Sequence, residues 1–355
     1  MRIASAPLTA SPLGFPGAVG RVAGVSHPLI DPYERAVRDL RISITDRCNF
    51  RCTYCMPEEG MKWLPRQDLL SFEEIERVAS VLVERYGFES IRLTGGEPTV
   101  RAHLPKLVAR LARLGVEVSM TTNGASLGLL AADLKAAGLS RINVSLDSLR
   151  RDRFAEITNR DALDRVIDGI ESAVAAGLAP VKVNCVLVRG VNDDEILDFA
   201  AFGRDRGVDV RFIEWMPLDG GGTWSGDRVV PASEILQTIN SRWPVEVEGG
   251  GAVDGSEPAE RYRYADGAGT VGVVASVTRS FCETCDRIRL TAEGQLRNCL
   301  FSVRETDLRA ILRSGGTDDD LAAAVEAEVG RKWAGHKIGQ VHFVRPERSM
   351  SQIGG

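Results

Sequence analysis

Three closely spaced cysteines are the residues of this chain best suited to chemistry. Cys48, Cys52 and Cys55 form a Cys-x3-Cys-x2-Cys run directly after a strand-like segment. Thiolates suit iron–sulfur chemistry, and three of them can hold three irons of a four-iron cluster. No fourth cysteine follows nearby, so one iron stays open for a small molecule, which predicts a catalytic centre. A zinc knuckle is the alternative, although structural zinc sites usually add a second cysteine pair or histidines.

A second group of three cysteines lies nearer the C-terminus. Cys282 and Cys285 are followed by Cys299, which gives the spacing Cys-x2-Cys-x13-Cys. The set again offers three thiolates and no obvious fourth ligand. A second cluster and a zinc site completed by His336 or His342 therefore both stay open at this point.

The segments between the two cysteine groups alternate between strand and helix patterns. The predicted strands are 41–45, 90–94, 116–121, 141–146, 181–187 and 208–214. The predicted helices are 72–86, 104–113, 127–137, 162–176 and 193–206. Repeated units of this length favour a parallel sheet with right-handed crossovers. Six strands predict an α/β fold, a partial (βα)6 TIM-like barrel rather than the complete eight-stranded one.

Polar side chains share one face of four of these strands. The polar set comprises Arg41, Ser43, Thr45, Arg92, Thr94, Asn143, Ser145, Asp147, Lys182 and Asn184. Because strand side chains alternate with period two, these groups should point to one side of the sheet. A dry barrel would not tolerate unpaired charges there, whereas a wet lumen that holds an anionic ligand would. The alternative is that the charges pair with one another or reach out at strand ends. By the same alternation Cys185 should face the helices as a core residue.

Two further motifs accompany the cysteine groups. Arg287 and Arg289 follow the second group and would point the same way in an extended segment, where guanidinium groups could bind phosphate or a purine edge. The Gly-Gly-Glu-Pro segment that begins at Gly95 ends the second strand. Its glycines would let a ligand approach the backbone, and an exposed carboxylate with carbonyls would suit an ammonium group. An ordinary turn is the alternative for this segment.

The composition is that of an ordinary globular protein, with 44% apolar and 26% charged residues in a chain of 355. No apolar stretch approaches the roughly 18 residues that span a bilayer. The net charge of −5 argues against general nucleic-acid binding. The seven cysteines are an odd number and fall largely into two groups, which is typical of metal ligation in a reducing compartment, and this predicts a cytoplasmic location.

Together these motifs resemble the radical S-adenosylmethionine (radical SAM) superfamily and, within it, the family of molybdenum cofactor biosynthesis protein A, or GTP 3′,8-cyclase. The resemblance runs from about residue 38 to the C-terminus. It is strongest at Cys48–Pro57, Arg92–Arg101, Thr121–Gly124, Asn143–Asp147, Lys182–Asn184, Glu214–Met216 and Phe281–Phe301.

The resemblance implies a role for each matching residue. Cys48, Cys52 and Cys55 would hold the [4Fe–4S] cluster that binds SAM, and Cys282, Cys285 and Cys299 an auxiliary [4Fe–4S] cluster whose open iron faces the guanine. Tyr54, Gly96, Ser145 and Met216 would contact SAM. Arg41, Arg92, Thr121, Lys182, Arg287 and Arg289 would contact GTP, mostly through its triphosphate. Gly354 and Gly355 resemble a tail that enters the active site and assists catalysis together with Arg287 and Arg289, and a frayed terminus is the alternative.

The resemblance also implies the reaction. The 5′-deoxyadenosyl radical would take hydrogen from C3′ of GTP, the C3′ radical would attack C8, and reduction would give 3′,8-cyclo-7,8-dihydro-GTP. A downstream cyclic pyranopterin synthase would use the product, while the electron donor and the oligomeric state, a homodimer included, are left open. The rival hypotheses are a radical SAM enzyme that modifies a peptide and a non-enzymatic zinc-binding protein.

The predicted organisation has four parts. Residues 1–37 form a flexible N-terminal extension, 38–217 the barrel, 218–345 the region with the second cluster, and 346–355 the tail. The first 30 residues make a poor secretory signal because prolines interrupt their apolar positions.

Overall fold

The computed structural model describes residues 27–56, 61–248 and 257–354. Its strands are β1 Asp39–Ser43, β2 Ser90–Thr94, β3 Glu117–Thr122, β4 Arg141–Ser145, β5 Val181–Leu187, β6 Asp209–Glu214, β7 Val245–Val247, β8 Glu260–Tyr264, β9 Thr270–Val274, β10 Arg287–Leu290, β11 Gln295–Arg297 and β12 Thr306–Asp307. Its α-helices are α1 Phe72–Tyr86, α2 Leu104–Ala112, α3 Leu127–Ala136, α4 Arg151–Thr158, α5 Leu163–Ala175, α6 Ile196–Arg206, α7 Ala232–Asn240, α8 Leu308–Arg313, α9 Asp318–Val329 and α10 Met350–Ile353.

Six neighbouring parallel strands form the centre of the sheet. The strand order is β12-β11-β10-β1-β2-β3-β4-β5-β6-β9-β8-β7, and β1 to β6 follow one another with helices between them. At the two sides of this centre, β10 pairs in parallel with β1, and β9 pairs in parallel with β6. The α/β class and the six strand–helix units are therefore confirmed, with strand bounds within two residues of the predicted ones.

The apolar face of the central strands packs against the helices. Among the fully buried side chains of this core are Ile42, Ile91, Leu93, Met120, Ile142, Val144, Val183, Cys185 and Phe212. The alternation predicted for these strands is thus confirmed, and Cys185 is a core residue. Helix α1 shows how local sequence supports the layer, because the Ser71 hydroxyl accepts from the Glu74 amide while the Glu74 carboxylate accepts from the Ser71 amide. No helix among the described residues is long and apolar enough to cross a bilayer.

The structure adds elements that the sequence patterns did not predict. Helix α4 lies between β4 and α5. Residues 27–37 belong to the predicted extension, but Arg35 within them is buried and bonded to distant parts of the chain. One continuous sheet passes from the barrel strands into the C-terminal region. The four-part division stays a prediction, and residues 1–26 lie outside the described residues.

Candidate functional site

Both cysteine groups line one cavity at the carboxyl ends of the parallel strands. The cavity has a volume of about 310 Å³. The residues predicted for clusters, SAM and GTP that line it are Cys48, Cys52, Cys55, Cys282, Cys285, Cys299, Tyr54, Gly96, Ser145, Met216, Arg41, Arg92, Thr121, Arg287 and Arg289. Residues from opposite ends of the chain therefore meet in the position where barrel folds place their ligands.

The first cysteine loop is held in place by α4. The amide of Arg51 donates to the Thr158 carbonyl, and the amide of Thr53 donates to the Ile157 carbonyl, both at 2.9 Å. Within the loop, the Cys55 amide donates to the Cys52 carbonyl. The helix that sequence analysis missed therefore fixes the turn that brings these cysteines together.

Burial sets the protonation of the first cysteine group. It raises the pKa of Cys48 to about 11 and that of Cys55 to about 12. The Phe50 amide donates to the Cys48 sulfur at 3.3 Å, and the Asn123 amide group points at the same sulfur from 3.9 Å. The three thiols are half-buried, and the amide donors directed at the Cys48 sulfur are suited to a bound cluster, whose charge would favour the thiolate form.

The Gly-Gly-Glu-Pro turn packs directly on the cysteine loop. Its glutamate, Glu97, is buried, and its two oxygens accept from the Thr122 hydroxyl, the Asn123 amide and both polar hydrogens of Thr99. The exposed carboxylate expected from the sequence is therefore not observed: this carboxylate braces the turn instead. The backbone of Gly95 and Gly96 forms that part of the cavity wall.

Tyr54 and Asp147 are in contact on the cavity wall, just beyond the end of β4. The Tyr54 hydroxyl donates to one carboxylate oxygen of Asp147 at 2.6 Å, and the Val186 amide donates to the other at 2.9 Å. Burial raises the pKa of Asp147 to about 6, while the two hydrogen bonds oppose that shift. The pair fixes the tyrosine ring beside the first cysteine group.

The second cysteine group lies at the start of β10. A short helical turn, Cys282–Thr284, precedes the strand, and Cys299 follows β11. His336 lines the same cavity, and hydrogen bonding from it helps to lower the pKa of Cys282 against the opposing effect of burial. Of the two histidines weighed for a zinc site, His336 is thus at the cysteines, while His342 is not among the residues that line the described cavity.

Cations oppose burial at Cys285. Burial raises the pKa of this thiol, but Arg287 and Lys332 outweigh it and lower the pKa to about 6. Among the described residues, no three His, Cys, Asp or Glu side chains form a site for a single metal ion. In a four-iron cluster each thiolate binds a different iron, so the sulfurs need not converge on one point.

Guanidinium groups stand side by side on the cavity face of the sheet. Arg41 is paired in register with Arg92 on one side and Arg289 on the other. Burial, reinforced at Arg41 by Arg92, lowers the pKa of Arg41 to about 9, and burial lowers that of Arg92 to about 10. Arg41 Nε and Arg287 Nη2 are buried and have no hydrogen-bond partner among the described residues. Asp39 forms an ion pair of 3.8 Å with Arg41 Nε, and against the opposing effect of burial its pKa is lowered by Arg41, Arg92 and Arg287. One carboxylate does not balance several neighbouring guanidinium groups, so this face is suited to a further anion.

Lys182 and Arg211 extend the cationic face towards β6. Lys182 is buried but does not line the described cavity, and its Nζ forms an ion pair of 2.8 Å with Glu257. Arg211 lines the cavity and pairs with the same carboxylate. Sequence analysis missed Arg211, although it alternates with the buried Val210 and Phe212 just as the predicted cations alternate with their neighbours.

The C-terminal tail enters the barrel. After α10 the carbonyl of Gly354 accepts a hydrogen bond from Arg289, and Gly354 lies against Thr94 and Ser43 at the ends of β2 and β1. An ion pair of 2.7 Å between Arg345 and Asp219 anchors the tail before it turns inward. Gly355 lies outside the described residues.

Family comparisons agree with this architecture. Residues 42–203 match the model of the Radical SAM superfamily, and residues 208–338 match the model Molybdenum Cofactor Synthesis C. Fold and site therefore define a radical SAM protein. The chain is 49% identical over 332 residues to GTP 3′,8-cyclase of Streptomyces coelicolor, which covers 93% of this chain and 97% of that protein. It is 48% identical to GTP 3′,8-cyclase of Mycolicibacterium smegmatis, with 98% of each chain covered. The chain belongs to the GTP 3′,8-cyclase family.

Solved structures support the fold. The crystal structure of Streptococcus suis SuiB bound to S-adenosylmethionine superimposes with a TM-score of 0.54, 14% identity and coverage of 83% of this chain and 69% of that one. This likeness concerns the fold alone.

Proposed function

We propose that the chain converts GTP into 3′,8-cyclo-7,8-dihydro-GTP, the first step of molybdenum cofactor biosynthesis, with SAM and two [4Fe–4S] clusters. The observation that carries the proposal is the row of neighbouring guanidinium groups that lines the same cavity as both cysteine groups. A triphosphate supplies the further anionic charge to which this face is suited.

Each part of the cavity has a proposed role. Cys48, Cys52 and Cys55 hold the cluster that binds SAM, and Tyr54, Gly96, Ser145 and Met216 contact SAM. Cys282, Cys285 and Cys299 hold the auxiliary cluster, and Arg41, Arg92, Thr121, Lys182, Arg287 and Arg289 contact GTP. The amide donors at Cys48 and the cations at Cys285 fit the charge of thiolate-bound iron.

The protein's own contribution is positioning and the exclusion of water. When bound, the first cluster would supply the electron for cleavage of SAM, and SAM would supply the radical chemistry at C3′ of GTP. The guanidinium row grips the triphosphate, which fixes the distance from the ribose to the SAM side of the cavity. Gly354, held by Arg289, lies against the ends of β1 and β2. Met350 and Ser351 of the same tail line the cavity.

The test uses anaerobically reconstituted protein with SAM, GTP and dithionite. We expect 5′-deoxyadenosine to form only when GTP is present, together with the cyclised nucleotide. Formation of 5′-deoxyadenosine that ignores GTP would overturn the substrate assignment, and a colourless protein with stoichiometric zinc would overturn the clusters.

The cellular setting follows from the product and the thiols. A cyclic pyranopterin synthase takes the product, because cyclised GTP is not yet a pterin. All seven cysteines are free, as metal-binding thiols are in the reducing cytoplasm, which is the location we propose.

A further inference from the structure

A buried lysine lies beside the second cysteine group and has no carboxylate partner among the described residues. Lys332 is 3% exposed and follows the end of α9. Its Nζ donates to the Arg287 carbonyl at 2.7 Å and to the Asn298 carbonyl at 2.8 Å. The third contact, at 3.7 Å, is with the sulfur of Cys285.

Several other buried cations of this protein have carboxylate partners, whereas Arg287 and Arg289, like Lys332, form no ion pair among the described residues. Arg35 pairs with Asp31, Arg297 pairs with Glu305, and Lys182 pairs with Glu257. Within the part of the chain that the structure describes, Lys332 forms no such ion pair, and the cysteine sulfur is its charged neighbour. Burial of an uncompensated ammonium group is costly, so its compensating anion is expected at the cysteines.

We propose that Lys332 is a positioning residue for the auxiliary cluster: its fixed ammonium group stays beside Cys285 and makes the cluster easier to reduce. The inference rests on the proposed function, in which this cysteine group holds that cluster. A [4Fe–4S] cluster with three thiolates carries a net charge of −1 when oxidised, and it gains one more negative charge on taking up one electron. A cation nearby stabilises the more negative form, so the reduction potential rises.

The geometry fixes the position of the ammonium group. The backbone carbonyls of Arg287 and Asn298 both accept hydrogen bonds from the ammonium group and hold it away from solvent. Its charge also acts on Cys299. Arg287 faces Cys285 as well, but its charge is shared with Asp39, whereas that of Lys332 is directed at the sulfurs.

The experiment compares the full-length holoenzyme with three variants by potentiometric titration followed by electron paramagnetic resonance. Lys332→Gln keeps an amide donor for the carbonyls but removes the charge, and Lys332→Arg keeps the charge. Lys337→Gln removes an exposed charge from the same segment as a matched control. A variant without the first three cysteines assigns the auxiliary signal.

We expect Lys332→Gln to disfavour reduction of the auxiliary cluster by about tenfold, which is about 59 mV for a one-electron couple. Lys332→Arg and Lys337→Gln should remain near the parent protein, and the SAM cluster should not shift in any variant. Loss of auxiliary iron from Lys332→Gln but not from Lys332→Arg would also support the inference, because only the arginine keeps the positive charge. An unchanged potential in Lys332→Gln, or equal loss of iron from both Lys332 variants, would overturn the inference.

Failure of the proposed function would give a different experimental result from failure of this inference. A parent protein that binds about four irons rather than about eight would lack the second cluster altogether. An intact second cluster whose potential ignores residue 332 would reject only the role of the lysine.

Discussion

At the scale of single residues, the cavity concentrates buried positive charge that the carboxylates Asp39 and Glu257 neutralise only in part. The guanidinium row on β10, β1 and β2 and the unpartnered N–H groups of Arg41 and Arg287 are the main examples. Such an arrangement costs free energy in the unliganded protein. In the function we propose, triphosphate binding would recover that energy, so affinity would be gained at the expense of stability.

We expect Lys182 to make nucleotide binding dependent on pH. Burial, then repulsion by Arg211 and Arg141, lowers its pKa to about 6, and the carboxylate of Asp209 opposes that shift. A triphosphate binds the charged form, so binding takes up a proton and affinity falls as pH rises above the lowered pKa. We expect a fall of up to about one logarithmic unit per pH unit between pH 7 and 9, measured by calorimetry with GTP.

Lys182→Arg is the control for this titration. Its guanidinium keeps the charge across that range, so the pH dependence should flatten, while the ionisation of GTP itself affects both proteins equally. Identical slopes in the two proteins would show that Lys182 does not take up the proton.

The tail glycine can be tested by a single methyl group. Gly354 has φ +82°, and an added Cβ would lie 2.4 Å from the Thr94 hydroxyl oxygen. Gly354→Ala should push the tail out of the barrel and lower GTP-dependent formation of 5′-deoxyadenosine by about 100-fold, since small misplacements in active sites cost that much. The thermal midpoint should be unchanged.

Gly339→Ala serves as the matched variant. Gly339 has a similar φ of +79°, but an added Cβ meets nothing within 4 Å, so it carries the backbone strain without the clash. Equal activity of the two variants would mean that the position of the tail does not matter to the reaction.

At the scale of elements, the Gly-Gly-Glu-Pro turn and the cysteine loop behave as one unit. A Cβ at Gly96 would lie 2.4 Å from the Asp46 carbonyl oxygen and 2.5 Å from that of Arg47. Gly96→Ala should displace the loop and reduce bound iron from about eight to about four per chain, with loss of SAM binding. Iron and sulfide analysis after anaerobic reconstitution measures this.

Gly128→Ala in α3 controls for the substitution itself, because the nearest atom to its Cβ would be 3.9 Å away. This variant should bind about eight irons. Full iron content in Gly96→Ala would show that the loop tolerates the methyl group and that the two segments are not coupled.

The elements also show what sequence patterns can and cannot predict. Period-two alternation placed Arg41, Asn143 and Ser145 on the cavity face, because each strand is long enough to show its pattern. Helix α4 was missed because its eight residues, Arg151–Thr158, are largely polar and resemble a loop. Arg211 was overlooked on a strand whose alternation was equally readable.

Contacts between distant segments were beyond sequence reasoning. The buried position of Glu97 depends on donors from Thr122 and Asn123, which no local pattern connects to it. The contact of Lys332 with Cys285 joins residues that lie 47 positions apart in sequence. Such contacts follow from the packing of whole layers and not from local propensity.

At the scale of the whole molecule, residues 27–37 connect the chain segments around the second cysteine group. Arg35 is paired with Asp31 at 2.6 Å, and its Nη1 donates to the carbonyls of Cys282 at 2.6 Å and Ala334 at 2.8 Å. Its Nη2 donates to the Trp333 carbonyl. One buried guanidinium thus connects three segments that lie up to 299 residues apart in sequence.

Arg35→Ala tests this connection. It leaves Asp31 buried without its cation and frees the three carbonyls, so we expect a loss of about 3 kcal/mol in stability. The auxiliary site should loosen first, so bound iron should fall by about half while SAM binding persists, because the first cysteine loop is held by α4 instead. Arg38→Ala is the control. Arg38 lies three residues after Arg35, and its loss breaks an exposed ion pair with Glu89, which should cost less than about 1 kcal/mol. If both variants kept all their iron and unfolded at the same urea concentration, the N-terminal segment would be a passive cover and the auxiliary site would hold its shape through β10 alone.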